Sequence, residues 1–232
     1  MRATIMYGAG DVRVETVPDP ALQQPADAIV RVVRACVCGS DLHPYHNMPA
    51  TPGGSPDGPR ICRSGRRDRS RGVHVEEGRL RHRPPFAWSD GTCDFCREGL
   101  QTSCRHGGFW AGNGIGGGQA EAIRVPLADG TLVKAPVGED SELLPSLLTL
   151  SDVFGTGYHA AVKGGVNQRT TVTVIGDGAV GLMAVLSAKR LGAERIILMG
   201  GRHKTRTDLG LEFGATDVVA ERGERASRKS AN

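Results

Sequence analysis

Thr170–Met199 reads TTVTVIGDGAVGLMAVLSAKRLGAERIILM. Val172–Ile175 is a short apolar, largely β-branched run. Gly176, Gly178 and Gly181 follow at once, Ala179–Leu191 is helix-forming and nearly apolar, and Arg195–Met199 is a second strand run. In a chain with 33 glycines a glycine triplet alone carries little weight. The order strand, glycine turn, apolar helix, strand carries more, because it is the order of a βαβ unit whose turn receives a pyrophosphate. Each glycine then has its own reason: Gly176 for a tight turn, Gly178 for backbone approach to the phosphates, Gly181 for close helix–strand packing. Ala179 and Val180 complete the loop and open the helix, whose free amides and partial positive charge suit an anion. Lys189 and Arg190 in the last turn and Gly192 beyond them end the helix well. The blander alternative is an ordinary βαβ unit with a glycine-rich turn and no ligand.

Working outward, 232 residues allow one large domain or two modest ones. The chain is 39% hydrophobic, with no apolar run long enough to span a bilayer and no charged-then-apolar leader, which points to a cytoplasmic protein with no membrane partner. Six cysteines, two of them in a C-x-x-C pair, suit metal binding in a reducing compartment. The net charge of +4 is local: nine arginines lie between Arg60 and Arg83 against Asp68, Glu76 and Glu77, and the rest of the chain is slightly acidic.

Near the N-terminus, Asp11–Glu15 and Asp27–Val33 alternate as half-buried strands do. The second run leads into Cys36-Val37-Cys38-Gly39-Ser40-Asp41-Leu42-His43. On residue type alone, Cys38 reads as a small buried hydrophobe and His43 as a surface residue. The motif, however, resembles the C-G-S/T-D-x-H of the zinc-dependent alcohol dehydrogenases of the medium-chain dehydrogenase/reductase family. The resemblance covers residues 1 to about 58 and about 85 to 221. It implies Cys38 as a ligand of a catalytic zinc, Ser40 as the hydroxyl bonding the substrate oxygen, and His43 as the outer member of a proton relay. Such chemistry suits these groups: a thiolate holds Zn²⁺, and a hydroxyl backed by an imidazole passes a proton to solvent.

Residues 59–84, PRICRSGRRDRSRGVHVEEGRLRHRP, break the pattern. They lack apolar periodicity, and their composition tends to disorder. Where the family has Gly-His-Glu, this chain has Gly58-Pro59-Arg60, so a zinc-ligating histidine and the glutamate beside the metal are replaced. A shifted reading frame accounts for this: moved one base, Gly58–Cys62 permits Gly-His-Glu-Phe-Val, and Glu76–Pro84 permits Lys-Lys-Gly-Asp-Phe-Val-Ile-Ala-Pro. The rival reading, an arginine-rich nucleic-acid site, lacks interleaved aromatics, so no nucleic-acid partner is expected.

From Phe86 the family pattern resumes. Asp90-Gly91-Thr92-Cys93-Asp94-Phe95-Cys96 and Cys104 resemble its structural-zinc lobe. A C-x-x-C pair with a third cysteine eight residues on supplies three corners of a tetrahedron. Asp90 stands where the family has its first cysteine; aspartate before Gly91 is equally a normal turn residue. Gln119–Pro126 and Gly130–Pro136 suit closing strands. Asp152 lies where the family places the last protein ligand of the catalytic zinc, and is equally placed to cap a helix.

After the second strand the chain reads Gly200-Gly201-Arg202-His203-Lys204. An NAD enzyme offers an acidic residue about twenty positions past the first glycine. None stands there in the sequence, and Arg202 or Lys204 suits a 2′-phosphate, so NADP is expected ahead of NAD. Thr207–Gly214 suits a second helix and Asp217–Val219 a third strand. Beyond Glu221 the chain turns polar, and one base along Ser227–Ala231 permits Val-Glu-Lys-Val-Arg.

The expectation is an α/β chain: a GroES-like β-domain at 1–147, then a truncated Rossmann-type parallel sheet at 148–232, one half of a doubly wound fold. The resemblance implies a zinc-dependent, NAD(P)-linked oxidoreductase of an alcohol, polyol or aldehyde, assembled as a homo-oligomer. Impaired turnover, low stability and an exposed sheet edge are expected. The alternative is a non-catalytic frameshifted remnant that keeps only its structural zinc.

Overall fold

The computed structural model describes residues 1–37, 39–53, 87–109 and 117–221, and the backbone of 63–68 and 81–83. Two compact units divide the chain, Met1–Ser151 and Asp152–Asn232.

The first unit begins with an antiparallel pair, β1 (Arg2–Gly8) and β2 (Asp11–Thr16), followed by β3 (Ala28–Ala35) and helix α1 (Gly39–Asn47). Strands β4 (Arg63–Asp68) and β5 (Arg81–Arg83) come next, then the short β6 (Ala87–Trp88), helix α2 (Asp94–Arg97) and β7 (Gly108–Phe109). Strand β8 (Ala122–Val125), helix α3 (Ala128–Thr131), β9 (Val133–Lys134) and helix α4 (Leu144–Leu148) complete it. The largest sheet has the order β8-β3-β4-β5-β9, antiparallel throughout. Alternate residues of β3 and β8, namely Ala28, Val30, Ile123 and Val125, point inward onto Ala128 and Leu132, with Trp88 packed alongside. This is the period-2 core of a half-buried sheet.

Two expectations are corrected here. The composition of residues 59–84 tends to disorder, yet 63–68 and 81–83 are strands in the middle of the five-stranded sheet. The register Val30↔Arg67 and His82↔Val133 gives the reason: ladder partners on both sides satisfy the backbone whatever the side chains, and tertiary pairing overrides composition. The other residues of 59–84, including Pro59 and Arg60, lie outside the described residues. Gly130–Pro136 is not one strand either, since Ala128–Thr131 is a helical turn before the two-residue β9. Gly130 is forced by packing, because a Cβ there would strike the Ser89–Asp90 backbone.

The second unit opens with α5 (Val153–Lys163), then β10 (Thr171–Ile175), α6 (Ala179–Arg190), β11 (Arg195–Met199), α7 (Lys204–Glu212) and β12 (Asp217–Val219). The sheet is parallel in the order β10-β11-β12. Central β11 is buried on both faces at Ile196, Ile197 and Leu198, as parallel strands are. Ile196 and Leu198 pack with Val174, Leu182, Val185 and Ala188, so α6 covers this face. At Gly157 α5 crosses α6 so closely that a Cβ would lie 2.6 Å from the Ala184 nitrogen. Strand β10 is less buried than its apolar sequence suggests: Val174 is inside, whereas Ile175 is 82% exposed. The cause is position, because β10 is an edge strand among the described residues.

Candidate functional site

The glycine loop sits at the end of β10, at the carboxyl edge of the parallel sheet. Gly176 has φ +107°, and its N–H donates to the Met199 carbonyl at 2.8 Å, closing the turn against β11. A Cβ on Gly178 would meet nothing within 4 Å, so this position faces open space above the backbone. A Cβ on Gly181 would drive into the Gly176 carbonyl oxygen. Backbone conformation thus requires glycine at 176 and helix–turn packing requires it at 181, while nothing in the fold requires it at 178, where an incoming pyrophosphate would need the room. Ala179 and Val180 form the first turn of α6, whose N-cap Gly178 supplies no side-chain cap and leaves the amides open to an anion.

The turn after β11 holds a group that sequence position concealed. The carboxylate of Asp177, within the glycine motif, accepts the Gly201 N–H at 3.1 Å. Its Cβ occupies the space a Gly200 side chain would need, 2.6 Å from that ideal position. A carboxylate therefore does stand at this turn, brought from the neighbouring loop. Gly201, at φ +139°, tolerates the backbone that results. Helix α7 begins at Lys204, three residues before its expected start. Lys204 Nζ donates to both Asp208 carboxylate oxygens at 2.7 Å, while Arg202 is exposed and has no ion-pair partner among the described residues.

In the first unit, Asp90, Cys93, Cys96 and Cys104 converge, with ligand atoms all within 4.8 Å of one another. The Cys93 and Cys104 sulfurs are 3.9 Å apart, near the edge of about 3.8 Å that Zn–S bonds of about 2.3 Å give a tetrahedron. Ser89 anchors the lobe: its N–H donates to Thr131 Oγ1 at 3.0 Å and its hydroxyl to the Gly130 carbonyl at 2.9 Å. Gly91, at φ +70°, turns the chain between Asp90 and the C-x-x-C helix α2.

Electrostatics divide the four ligands. The imidazole of His106, with the backbone amides of Cys93 and Thr92, holds the Asp90 carboxyl far below the usual carboxylate range. The Arg105 amide is the largest of the influences that lower the Cys93 thiol. Burial pushes the Cys96 thiol up to about 12. A divalent cation at the centre would relieve that last cost by stabilising the thiolate. The donor set, three sulfurs and a carboxylate at tetrahedral spacing, therefore fits zinc. His106 was not foreseen; its only signal in sequence is its place two residues past Cys104.

Ser40 and His43 both lie on α1, three residues apart and exposed, so they share one helix face. The hairpin holds this helix: Gly10 N–H donates to the Tyr45 carbonyl at 2.8 Å and Ala9 N–H to Met48 at 2.9 Å. Cys38 lies outside the described residues. Asp152 occupies the N-cap position of α5 but makes no side-chain capping bond. Its Oδ1 instead accepts the Thr156 hydroxyl at 3.0 Å. At the position where the family resemblance implies a histidine ligand the sequence has Pro59, whose side chain has no donor atom. Among the described residues no helix is long and apolar enough to cross a membrane.

Residues 24–137 match the family model of the alcohol dehydrogenase GroES-like domain. A probable zinc-binding alcohol dehydrogenase of Mycobacterium tuberculosis is 36% identical over 230 residues, 97% of this chain and 57% of that protein. A medium chain reductase/dehydrogenase of Acremonium sp is 32% identical over 238 residues, 96% of this chain and 77% of that one. The alcohol dehydrogenase of Thermus sp. ATN1 superposes with a TM-score of 0.83 at 32% identity, covering 98% of this chain and 66% of its own. The chain thus spans between about half and about three quarters of the length of these relatives.

Proposed function

Because the chain belongs to the zinc-dependent alcohol dehydrogenases of the medium-chain dehydrogenase/reductase family, we propose that it derives from an oxidoreductase moving a hydride between NAD(P) and an alcohol, polyol or aldehyde. The observation that supports this reading is one chain carrying both a glycine turn open to a phosphate and four side chains spaced to hold a metal. Cys38 and Asp152 are its proposed catalytic-zinc ligands; when bound, that metal supplies Lewis-acid polarisation of the substrate oxygen. The Ser40 hydroxyl bonds that oxygen and takes or gives its proton, and exposed His43, one turn along α1, exchanges it with water. Gly176, Gly178, Ala179, Val180 and Gly181 seat the pyrophosphate.

Two further parts of the reading follow. The exposed guanidinium of Arg202 takes a 2′-phosphate, which favours NADP against the opposing charge of Asp177, whose carboxylate is turned onto the Gly201 N–H; Lys204 is engaged by Asp208 and contributes less. The protein works in the cytoplasm as a homo-oligomer on small-molecule substrates, a reducing setting that suits a lobe built on the thiolates of Cys93, Cys96 and Cys104.

A second reading is favoured by Pro59-Arg60: a remnant that keeps only the structural zinc. Metal content and nucleotide binding test both. A chain with its catalytic centre intact holds two zinc ions, and the remnant holds one. Adenosine 2′,5′-bisphosphate binds more tightly than AMP, and Arg202→Ala removes about tenfold of that preference. Equal binding of the two nucleotides sinks the NADP assignment, and a chain holding no zinc sinks the metal-dependent reading.

A further inference from the structure

His106 stands beside the metal lobe without belonging to its four ligands. Its Nδ1 lies 2.6 Å from Asp90 Oδ2. A carboxylate that serves as a metal ligand has no proton to give, so in this pair Nδ1 is the donor. The other oxygen, Oδ1, accepts the Thr92 N–H at 2.8 Å and the Cys93 N–H at 3.0 Å. Both carboxylate oxygens are therefore tethered, and the plane of the group is fixed. Asp90 itself is 12% exposed at its side chain, whereas His106 is 69% exposed and lies on the solvent side of it.

We infer that His106 is a positioning residue that holds Asp90 as the fourth metal ligand of the lobe. The need is physical. A carboxylate offers two equivalent oxygens and rotates about its Cβ–Cγ bond, so unless it is held, water at this partly open corner competes for the metal. The backbone amides of the turn fix one oxygen, and His106 fixes the other while leaving it a second lone pair for the metal. Cys104-Arg105-His106 thus supplies one ligand and clamps another. The middle residue serves as a built-in control: Arg105 makes an equally short, bidentate pair with Asp94, at 2.7 and 2.6 Å, but Asp94 is outside the ligand set.

The inference rests on the lobe's being a zinc site. The test uses the full chain, with zinc affinity measured by competition against a chromophoric chelator and the ligand set read by cobalt(II) substitution, where the band from three thiolates marks this lobe. Expected are a loss of about 10–100-fold in affinity for His106→Ala, with altered d–d bands. His106→Asn, whose amide nitrogen sits where Nδ1 does, restores the bands and most of the affinity; Arg105→Ala changes neither by more than about twofold. His106→Ala at wild-type affinity, or an equal loss in Arg105→Ala, overturns the role of His106 and leaves the zinc lobe standing. A wild-type chain that takes up no metal at these thiolates overturns both.

Discussion

Gly178 and Gly181 are three residues apart in one loop and are glycine for different reasons, which makes them separable by experiment. A methyl on Gly181 meets the Gly176 carbonyl oxygen, and one on Gly178 meets nothing. Gly181→Ala is expected to cost about 1–3 kcal/mol of stability, the usual cost of overpacking. Gly178→Ala, at N-cap φ −81° and ψ 179°, stays within about 0.5 kcal/mol of wild type. It nonetheless weakens adenosine nucleotide binding tenfold or more, because the methyl stands where the pyrophosphate approaches. Thermal melts with nucleotide titrations of both variants decide it; a Gly178→Ala chain that binds nucleotide normally excludes this placement of the phosphates. The third special residue of the region, Asp177, shows how a single side chain can join two loops: it accepts from Gly201 across 24 positions of sequence.

At the level of elements, the parallel sheet is tied at its amino edge by an ion pair between β11 and β12. Arg195 donates to Asp217 at 2.9 and 3.1 Å, and this guanidinium, helped by the Thr216 hydroxyl, lowers the Asp217 carboxyl to about 2. A carboxyl whose pKa falls on folding adds stability above its unfolded value of about 3.9, and loses it as pH drops toward its folded one. Asp217→Asn is therefore expected to lower stability at neutral pH, with the gap to wild type closing between about pH 4 and about pH 2. Urea melts across that range measure it, and a gap independent of pH refutes the assignment. The α5–α6 crossing is of another kind. Gly157 lies against the Ala184 backbone, so Gly157→Ala forces two helices apart and is expected to cost about 1–3 kcal/mol.

For the molecule as a whole, the two units carry different dependencies. The metal lobe and its anchor on Ser89 and Thr131 belong to Met1–Ser151, and the nucleotide loop belongs to Asp152–Asn232. Removing metal with a strong chelator is expected to open residues 89–106 to proteases, since an empty lobe retains only short elements, α2 and its flanking turns. Nucleotide binding by the second unit should survive that treatment. Persistence of the lobe against proteolysis without metal tells against a zinc-stabilised structure. Among the described residues the core of each unit is small. The first centres on Val30, Ile123 and Val125, the second on Val185, Ile196 and Leu198. Loss of a metal or an edge contact therefore bears on a large share of the stability.

The parts legible from sequence are those whose signal is local. A β-branched run, three glycines and an apolar helix within thirty residues specify a βαβ unit, because turn conformation and hydrophobic period are set by near neighbours. Three cysteines within twelve residues announce a metal lobe for the same reason. What only the tertiary structure decided depends on residues far apart in the chain. His106 meets Asp90 across 16 positions, and Asp177 brings a carboxylate to a turn that has none of its own. Arg63–Asp68 becomes a strand although its composition argues against one. In each case the deciding interaction is a hydrogen bond to a partner that folding delivers, and composition and local periodicity carry no record of where that partner will be.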